Sequence, residues 1–298
     1  MPMPLRVSVI TPSYNQGRFL ERTIQSVLSQ QFGGVLEYLV MDGGSQDETV
    51  AILRRYGNCL QWVSEKDEGQ ADAVNKGLAR AKGEIIGWLN SDDIYYPGAI
   101  RAASDFLACH PEVDAVYGNA NHIDEQDLVI EPYPTEDWDF ERLKEGCYVC
   151  QPSVFFRSSV VQRFGPLDLR LRYCMDYEYW LRLAAEGVRF ARIGAVVAGS
   201  RLYATNKTLG SRVKVHAEIN DMMRDLFTRV PDRWLFNYAH SVLDDRGISR
   251  SESLQFPVLV SALSLSAALR WNRHISRSMA GTVCQWLGNA VRDELRAT

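Results

Sequence analysis

The first part of the chain alternates short apolar runs with segments that repeat apolar residues at helical spacing. The runs 6–11, 36–41, 60–64 and 85–89 are short enough to be buried strands, and segment 19–30 shows helical spacing. Strands that alternate with helices in this way form a mostly parallel sheet with right-handed crossovers and helices on both faces. The sequence therefore predicts an α/β fold.

Polar residues follow each of these predicted strands at the point where it ends. The four loops are residues 11–15, 42–45, 67–72 and 90–93. Parallel strands bring their carboxyl ends to one edge of the sheet, and open α/β sheets bind ligands there. We therefore expect the four loops to line one crevice in which a nucleotide lies.

Asp92 and Asp93 are adjacent carboxylates that follow the apolar run 85–89. Two like charges repel each other, so a site that keeps both ionised favours a cation with oxygen ligands. The alternative is a solvated turn in which an aspartate caps the next helix. This segment alone favours neither interpretation.

The composition excludes several classes of protein. With 46% hydrophobic and 23% charged residues and a net charge of -4, the chain reads as an ordinary globular protein without the basic excess of a nucleic-acid binder. The amino terminus has no signal-peptide pattern, and the longest apolar stretch, 256–269, is too short to span a bilayer. We expect a cytoplasmic protein that is not integral to a membrane.

Six cysteines are scattered through the chain, and Cys147 and Cys150 form a C-x-x-C pair. Such a pair is either a redox pair or half of a zinc site. No second C-x-x-C and no histidine cluster accompany it, so a functional role is disfavoured. Free thiols fit a reducing cytoplasm.

The alternation of strands and helices breaks after residue 119. The sequence predicts a hairpin over 121–130, a helix that begins near 173, a last strand at 192–198, and only helical spacing from 211 onward. We expect the tail to form two to four helices that pack on the body, on a second subunit in a homodimer, or on a membrane surface. Core or dimer contact is favoured over a lipid anchor, because segment 258–271 lacks a dense Lys/Arg face.

Four motifs come in the order and spacing of family 2 glycosyltransferases, which the sequence resembles over residues 7–208. The motifs are residues 7–15, 42–47, 65–77 and 89–93. The resemblance implies a GT-A fold, which is a Rossmann-like, mixed but mostly parallel sheet flanked by helices. It also implies a nucleotide-sugar donor, a divalent cation (Mn²⁺ or Mg²⁺) and inversion at the anomeric carbon.

The resemblance also implies a domain organisation. Residues 1–208 correspond to the GT-A domain, with a nucleotide-sugar-binding half at 1–119 and an acceptor-binding half at 120–208. Residues 209–298 then form a helical carboxyl-terminal extension.

The resemblance assigns the nucleotide end of the donor site to the first two loops. The wall of the nucleobase and ribose site is matched by Thr11, Pro12, Ser13 and Tyr14. Asp42 matches the acid that hydrogen-bonds the uracil imide, and a carboxylate is a sound acceptor for an imide N–H. Capping of a helix is the alternative for Asp42.

A second patch of the donor site is matched by Asp67, Asp72 and Lys76, with Asp67 nearest to the nucleotide. A helix surface is the alternative for Lys76. Arg201 and Lys207 fall where related enzymes fold a flexible basic loop over the diphosphate, and a cation there would stabilise the leaving group. A plain surface loop is the alternative for these two residues.

Residues 90–93 stand where the family has its D-x-D signature, with Asn90 in place of the first aspartate. The resemblance assigns Asn90, Ser91 and Asp92 to the donor. Asp92 is the first candidate for a metal ligand and Asp93 the second, because carboxylates together with diphosphate oxygens suit Mg²⁺ or Mn²⁺. An amide at position 90 brings no charge, which can lower the affinity for the metal.

The acceptor side resembles the family's E-D-x-x-x-W-x-x-R segment, with Met175 in place of the first acid. Asp176 then matches the general base, which takes the proton of the acceptor hydroxyl during attack. A helix N-cap is the alternative for Asp176, and Glu178 is the second candidate for the base. The acceptor site is assigned to Gln151, Glu178 and Trp180. Trp180 could stack on a sugar ring or be core, which is the commoner fate of a helical tryptophan.

The sequence thus predicts a metal-dependent, inverting glycosyltransferase with a UDP-sugar donor and a saccharide or carrier-linked glycan acceptor, acting in bacterial surface polysaccharide synthesis. Such an acceptor is compatible with peripheral association at the inner face of the membrane. A non-catalytic sugar-nucleotide-binding or scaffold protein is the alternative, because of Asn90 and Met175. A dinucleotide-dependent oxidoreductase ranks last, because no G-x-G-x-x-G follows the first strand.

Overall fold

The computed structural model of the protein describes residues 5–206, 210–249 and 255–297. The chain divides into two compact units. The first comprises Met1–Leu143 and Cys147–Tyr203, and the second comprises Lys144–Gly146 and Ala204–Thr298.

The first unit is built on one nine-stranded sheet. Its strands are β1 Arg6–Ser13, β2 Val35–Asp42, β3 Gln61–Ser64, β4 Ile85–Trp88, β5 Ile94–Tyr95, β6 Ala115–Ile123, β7 Val129–Pro132, β8 Val154–Arg157 and β9 Phe190–Arg201. The helices that precede or connect them are α1 Gly17–Leu28, α2 Thr49–Tyr56, α3 Gln70–Arg80, α4 Ala99–Cys109, α5 Phe140–Glu145, α6 Ser158–Phe164 and α7 Met175–Ala185.

The strand order is β3-β2-β1-β4-β8-β6-β9-β5, and β7 pairs with β6 as a hairpin. Strands β3, β2, β1 and β4 run parallel, whereas β8 is antiparallel to both β4 and β6. The parallel half is the part whose strands alternate with helices in the sequence, because parallel neighbours need a crossover connection. The predicted α/β fold with flanking helices is confirmed.

The sequence does not predict β5 or α6. β5 has two residues and pairs with β9 through Ile94 opposite Gly199 and Tyr95 opposite Ala198. A strand of this length shows no alternation, and its partner is about a hundred residues away in the chain. The pairing places the loop after β4 next to the end of β9.

Helix α3 packs closely on the sheet because its buried face is made of small residues. Ala71, Ala73, Val74 and Gly77 form that face. A Cβ at Gly77 would lie 2.4 Å from Cγ2 of Ile10 in β1, so a larger residue would push the helix away. This contact sets the start of α3 beside the carboxyl ends of β1 and β2.

The second unit is helical where it is described. Its helices are α8 Arg212–Phe227, α9 Asp232–Asp245, α10 Gln255–Asn272 and α11 Arg277–Ala297. Ala239 and Leu243 of α9 pack with Phe256 and Val260 of α10, and Trp271 Nε1 donates to Asp221 Oδ1 at 2.8 Å. No helix within the described residues is long and apolar enough to cross a membrane.

Candidate active site

The loops that follow β1 and β2 are joined by hydrogen bonds at one edge of the sheet. Gly43 N–H donates to the carbonyl of Ser13 at 2.8 Å. Asn15 then connects the loops a second time, because its N–H donates to Ser45 Oγ at 2.7 Å and its Oδ1 accepts from Gln46 N at 2.9 Å. Strand β4 pairs with β1 on the other side, so the first, second and fourth predicted loops lie at the same edge.

The four residues of the predicted nucleotide wall differ in what they expose. Thr11 is buried, and its hydroxyl shares a hydrogen bond with Tyr38 at 3.2 Å inside the sheet; Pro12 is buried too. Ser13 is also buried, but its Oγ has no hydrogen-bond partner among the described residues. Tyr14 is 60% exposed. Tyr14 is therefore the one of the four whose side chain is open to a ligand, and Ser13 is the one whose buried hydroxyl has no partner among the described residues.

Asp42 is a buried carboxylate at the end of β2 that organises the turn after it. Its oxygens accept from the N–H groups of Gly44 and Ser45 at 3.2 and 2.9 Å, and from the hydroxyls of Ser45 and Ser64 at 2.5 and 2.6 Å. A carboxylate has about four lone-pair positions. Binding of a uracil imide by Asp42 stays a prediction. The imide N–H would have to share a carboxylate oxygen of Asp42 with one of these donors.

Asp67 lies against this turn. A Cβ at Gly43 would be 2.6 Å from Asp67 Oδ2, so only glycine allows the approach. Asp67 Oδ1 also accepts from Gly69 N at 2.9 Å. Burial raises the pKa of Asp67, and the nearby charges of Asp72 and Asp42 add to the rise. The structure thus brings the third predicted loop to the same edge.

Asp72 and Lys76 fasten this third loop to α3. Asp72 accepts from the N–H of Glu68 at 3.1 Å, which lowers its pKa, and it pairs with Lys76 at 3.1 Å. Lys76 also reaches Glu65 at 3.4 Å. These contacts give Lys76 a structural role on the helix surface, and its contact with a donor stays a prediction.

Two residues outside the predicted site tie α3 and the loop before it to the segment before α7. The side-chain amide of Asn75 pairs with both backbone groups of Leu167, each at 2.9 Å. The guanidinium of exposed Arg172 donates to the carbonyl of Glu68. It also occupies the space that a Cβ at Gly69 would need. No pattern in the sequence pairs these positions, since they are more than 90 residues apart.

Asn90 is the centre of a hydrogen-bond network in the loop after β4, residues 90–93, which we call the acidic loop. Its Oδ1 accepts from Gln70 Nε2 at 2.8 Å and from Trp88 Nε1 at 2.9 Å. Its Nδ2 donates to Gln151 Oε1 at 2.8 Å and to Asp93 Oδ2 at 3.4 Å. The amide uses both its acceptor and its donor, which a carboxylate at this position could not do.

Asp92 is partly exposed and is held at two atoms by residues at the end of β9. Its Oδ2 accepts from the hydroxyl of Tyr203 at 2.8 Å, and its carbonyl accepts from Arg201 Nε at 2.6 Å. Its neighbour Ser91 is buried, and its carbonyl accepts from Thr23 Oγ1 at 2.9 Å. Tyr203 was missed in the sequence because it lies just beyond a strand end without a charge.

Asp93 points inward. It is buried, and its Oδ1 accepts from the backbone N–H of Arg201 at 2.8 Å. Burial raises its pKa well above the usual range, and the adjacent Asp92 charge adds to the rise. Asp93 is buried and accepts from a backbone N–H, whereas Asp92 is partly exposed, so the geometry favours Asp92 over Asp93 as the ligand.

Arg201 is placed differently from the predicted mobile basic loop. It ends β9 with a fully buried side chain that pairs with Asp127 at 2.5 Å and donates to the carbonyl of Asp124 at 2.6 Å. The guanidinium therefore braces the acidic loop against the β6–β7 hairpin instead of facing a diphosphate. Lys207 lies outside the described residues.

Asp176 lies in the first turn of α7 and is partly exposed. Burial raises the pKa of both Cys147 and Cys150, and the charge of Asp176 contributes in each case. At Cys150 the charge of Asp93 contributes as well. Gln151, the residue after this segment, also accepts from Asn90 Nδ2 at 2.8 Å, so the segment adjoins the loop after β4. A site shared by this loop and Asp176 stays a prediction.

The three predicted acceptor residues are engaged inside the protein. Gln151 is buried between Asn90 and the carbonyl of Trp88, to which its Nε2 donates at 2.7 Å. Glu178 is buried and pairs with Arg182 at 2.7 Å. Trp180 is fully buried beside Phe156 and other aromatic residues, which supports the core alternative for this residue.

The residues present fit a divalent cation only if a ligand completes the site. No group of three or more His, Cys, Asp or Glu side chains suited to a metal occurs in the described part of the chain. Asp92 offers the hard oxygen that Mg²⁺ and Mn²⁺ prefer, and these cations commonly take further ligands from phosphates. Asp92 would therefore act as the principal protein ligand.

The chain is similar to known glycosyltransferases over much of its length. The model of glycosyl transferase family 2 matches residues 8–164. An uncharacterized glycosyltransferase of Rickettsia prowazekii is 29% identical over 221 residues, which cover 68% of this chain and 65% of the relative. One of Mycobacterium tuberculosis is 35% identical over 184 residues, or 60% of this chain and 68% of the relative. The PGL/p-HBAD biosynthesis glycosyltransferase of Mycobacterium bovis is 28% identical over 202 residues, or 65% and 75%. The chain thus spans about two thirds of the length of these relatives.

Solved structures show a similar fold. Residues 1–349 of S. aureus TarS in complex with UDP-GlcNAc superpose with a TM-score of 0.62 at 15% identity, covering 97% of this chain and 92% of that chain. In a longer TarS structure the chain covers 52% of that chain. The mannosyltransferase PcManGT of Pyrobaculum calidifontis, in complex with GDP-Man and Mn²⁺, superposes with a TM-score of 0.60 at 18% identity, covering 99% and 83%.

The fold is therefore of the GT-A type that the resemblance implies. Because the family model spans residues 8–164, more than half of the sequence, the chain belongs to glycosyl transferase family 2.

Proposed function

We propose that the chain is an inverting glycosyltransferase that moves a sugar from a UDP-linked donor to a hydroxyl of a saccharide or carrier-linked glycan. The observation that carries the proposal is that the loops after β1, β2 and β4, together with Asp67, meet at one edge of the sheet in a chain of this family. The proposal takes the donor loop and Asp176, at the start of α7, to act on one anomeric carbon. Inversion needs this arrangement, because the attacking oxygen and the leaving diphosphate occupy opposite faces of that carbon.

The nucleotide would lie along the ends of β1 and β2. The buried Ser13 Oγ lacks a protein partner, and a buried hydroxyl of this kind is stabilised by a ligand's hydrogen bond. The exposed ring of Tyr14 offers an apolar face for a nucleobase or sugar. The complex of TarS with UDP-GlcNAc supports a uridine donor by similarity of fold.

Asp92 would hold a divalent cation together with the diphosphate of the donor. The cation would supply positive charge to the departing diphosphate. The complex of PcManGT with GDP-Man and Mn²⁺ supports a cation of this kind. Asn90 and Asp93 are expected to support the loop and not to bind the cation, because both are engaged with other protein groups.

Asp176 would act as the base that takes the proton from the acceptor hydroxyl. Its two neighbours in the motif are unsuited to that role. Met175 is buried, and Glu178 is buried in its pair with Arg182. We propose bacterial surface polysaccharide or glycan synthesis as the setting, supported by the name of the Mycobacterium bovis relative.

Release of UDP from a panel of UDP-sugars, with and without Mn²⁺ and candidate acceptors, tests the proposal. Asp176→Asn should lower the turnover by roughly 10²- to 10⁴-fold, as expected for loss of a general base, with UDP affinity unchanged. Asp137→Asn is the matched control, since Asp137 is 92% exposed and pairs only at the surface with Arg192. Wild-type protein that binds UDP but turns over no donor would instead favour the non-catalytic binding or scaffold alternative.

A further inference from the structure

Tyr203, which follows β9, connects the acidic loop to the loop after β1. Its hydroxyl donates to Asp92 Oδ2 at 2.8 Å and accepts from Gln16 Nε2 at 3.0 Å. Gln16 directly precedes α1, close to the exposed Tyr14. A chain of two hydrogen bonds therefore runs from the loop after β1 to the predicted metal ligand.

The phenol is held in place by its packing as well as by its hydrogen bonds. Tyr203 is 7% exposed, and its ring lies 5.1 Å from the ring of Phe19. The guanidinium of Arg18 lies over the ring at 4.6 Å from its centroid, a distance that suits a cation–π contact. These contacts hold the ring, so the hydroxyl has a fixed position relative to Asp92.

Asp92 needs such support because the contacts of its backbone do not fix the orientation of its carboxylate. Arg201 anchors the carbonyl of Asp92 from β9, but a carboxylate can still rotate about its side-chain bonds. The bond from Tyr203 selects one rotamer. Partners that orient a metal ligand in this way commonly change metal affinity or activity by about 10- to 100-fold when they are removed.

We propose that Tyr203 is a positioning residue that orients Asp92 toward the diphosphate-bound cation, and that Gln16 orients Tyr203 in turn. The inference rests on the proposed function, because it takes Asp92 to be the metal ligand. The hydroxyl of Tyr203 acts through Asp92 and needs no contact with the sugar or the cation. Binding of the donor near residues 14–16 and binding of the cation at Asp92 are thereby coupled.

Tyr203→Phe tests this inference, because it removes the hydroxyl and leaves the ring packing in place. Tyr56→Phe is the matched control: it removes another tyrosine–carboxylate hydrogen bond, from Tyr56 to Glu21 at 3.0 Å, between α2 and α1. Mn²⁺ binding to the UDP-loaded protein would be measured by electron paramagnetic resonance without any sugar or turnover. We expect Tyr203→Phe to weaken Mn²⁺ binding by about 10- to 100-fold and Tyr56→Phe to leave it within about twofold.

Two further readouts separate positioning from loss of structure. UDP affinity without metal and the thermal unfolding midpoint should be close to wild type in Tyr203→Phe, and turnover at limiting Mn²⁺ should be restored by excess Mn²⁺. Gln16→Met should shift Mn²⁺ binding in the same direction by a smaller factor. Equal Mn²⁺ affinity in wild type and Tyr203→Phe would overturn the positioning role alone. A wild-type protein that binds neither UDP nor Mn²⁺ would overturn the proposed function and, with it, this inference.

Discussion

At position 90, an asparagine in place of the family's aspartate changes the role of the side chain. The family has an aspartate at this position, and an amide there could be taken as a weakened ligand. In the structure its Nδ2 donates to Gln151 Oε1 at 2.8 Å and to Asp93 Oδ2 at 3.4 Å. Both are acceptors, so position 90 requires a donor that a carboxylate lacks.

Asn90→Asp should therefore destabilise the protein instead of restoring a better metal site. The new carboxylate would face Gln151 Oε1 without a proton to share and would add charge beside buried Asp93. We expect a loss of about 1–3 kcal/mol, the usual cost of a buried group left without its partner. Urea unfolding measures it, with exposed Asn58→Asp as the control. A variant as stable as wild type that binds Mn²⁺ more tightly would contradict this interpretation.

His216 in α8 is a second residue whose environment makes a measurable prediction. Burial lowers its pKa to about 4, and the charge of Arg212 contributes. The unfolded chain has a histidine pKa of about 6.5. The folded state therefore favours neutral His216, so its contribution to stability is complete above pH 6.5 and is lost as the pH falls toward 4.

The unfolding midpoint of wild-type protein should thus fall more steeply between pH 6.5 and 4 than that of His216→Gln, which cannot titrate. Exposed His274→Gln serves as the control and should follow the wild-type curve. Carboxyl groups that titrate in the same range affect all three proteins alike. Parallel curves for wild type and His216→Gln would show that burial of this imidazole has no energetic consequence.

At the scale of elements, α7 serves both the candidate site and the core. Its first turn carries Asp176, whereas Tyr179 and Trp180 are buried against the sheet. Glu178 and Arg182 form a pair four residues apart, and Arg182 also donates to the carbonyls of Phe164 and Pro166 at 2.8 and 2.9 Å. This pair fixes α7 to the end of α6, which in turn fixes the position of Asp176.

Glu178→Ala should mainly cost stability. It leaves a partly buried guanidinium without its carboxylate, and breaking a buried pair on one side typically costs about 3–5 kcal/mol. Arg182 keeps two carbonyl partners, so we expect the lower end of that range. Chemical unfolding gives the loss, and UDP release per folded molecule should stay within a fewfold of wild type. A collapse of turnover without a loss of stability would make Glu178, and not Asp176, the better candidate for the base.

At the scale of the whole molecule, ligand binding should appear as a change in global stability. Ser13, Tyr14 and Asp92, which the proposed function assigns to the donor and the cation, all belong to the first unit, which contains Met1–Leu143 and Cys147–Tyr203. A ligand that binds only the folded state at 100 times its Kd stabilises it by about 2.7 kcal/mol. For a unit of this size, each kcal/mol raises the unfolding midpoint by roughly 2–4 °C.

UDP with Mn²⁺ should therefore raise the midpoint by several degrees, and a chelator should remove most of the gain. UDP should exceed GDP, ADP and CDP in the same thermal-shift panel. Asp92→Asn provides the internal comparison, because it removes the proposed ligand charge and should abolish the Mn²⁺-dependent part. A larger shift with GDP than with UDP would overturn the proposed nucleobase while leaving the transferase intact.

Only part of the candidate site could be predicted from the sequence. Local order determines which polar loops follow which strands, and parallel strands must place those loops at one edge, so Asp42, Asp67 and Asp92 could be grouped in advance. Patterns of residue type do not say how a side chain is engaged. Arg201, Gln151 and Glu178 all turned out to be committed to partners inside the protein.

The sequence by itself determined the α/β class, the four loops and the family, because strand and helix periodicity and motif spacing are local properties of the chain. Only the tertiary structure decided that Asp93 is buried while Asp92 is partly exposed, and that Tyr203 meets Asp92 across 111 positions of the chain. The pairing of β5 with β9 places the loop after β4 next to the end of β9, and this allows both the burial of Asp93 and the contact of Tyr203 with Asp92. Burial and hydrogen-bond partners depend on which distant segments pack together, and no local pattern encodes that choice.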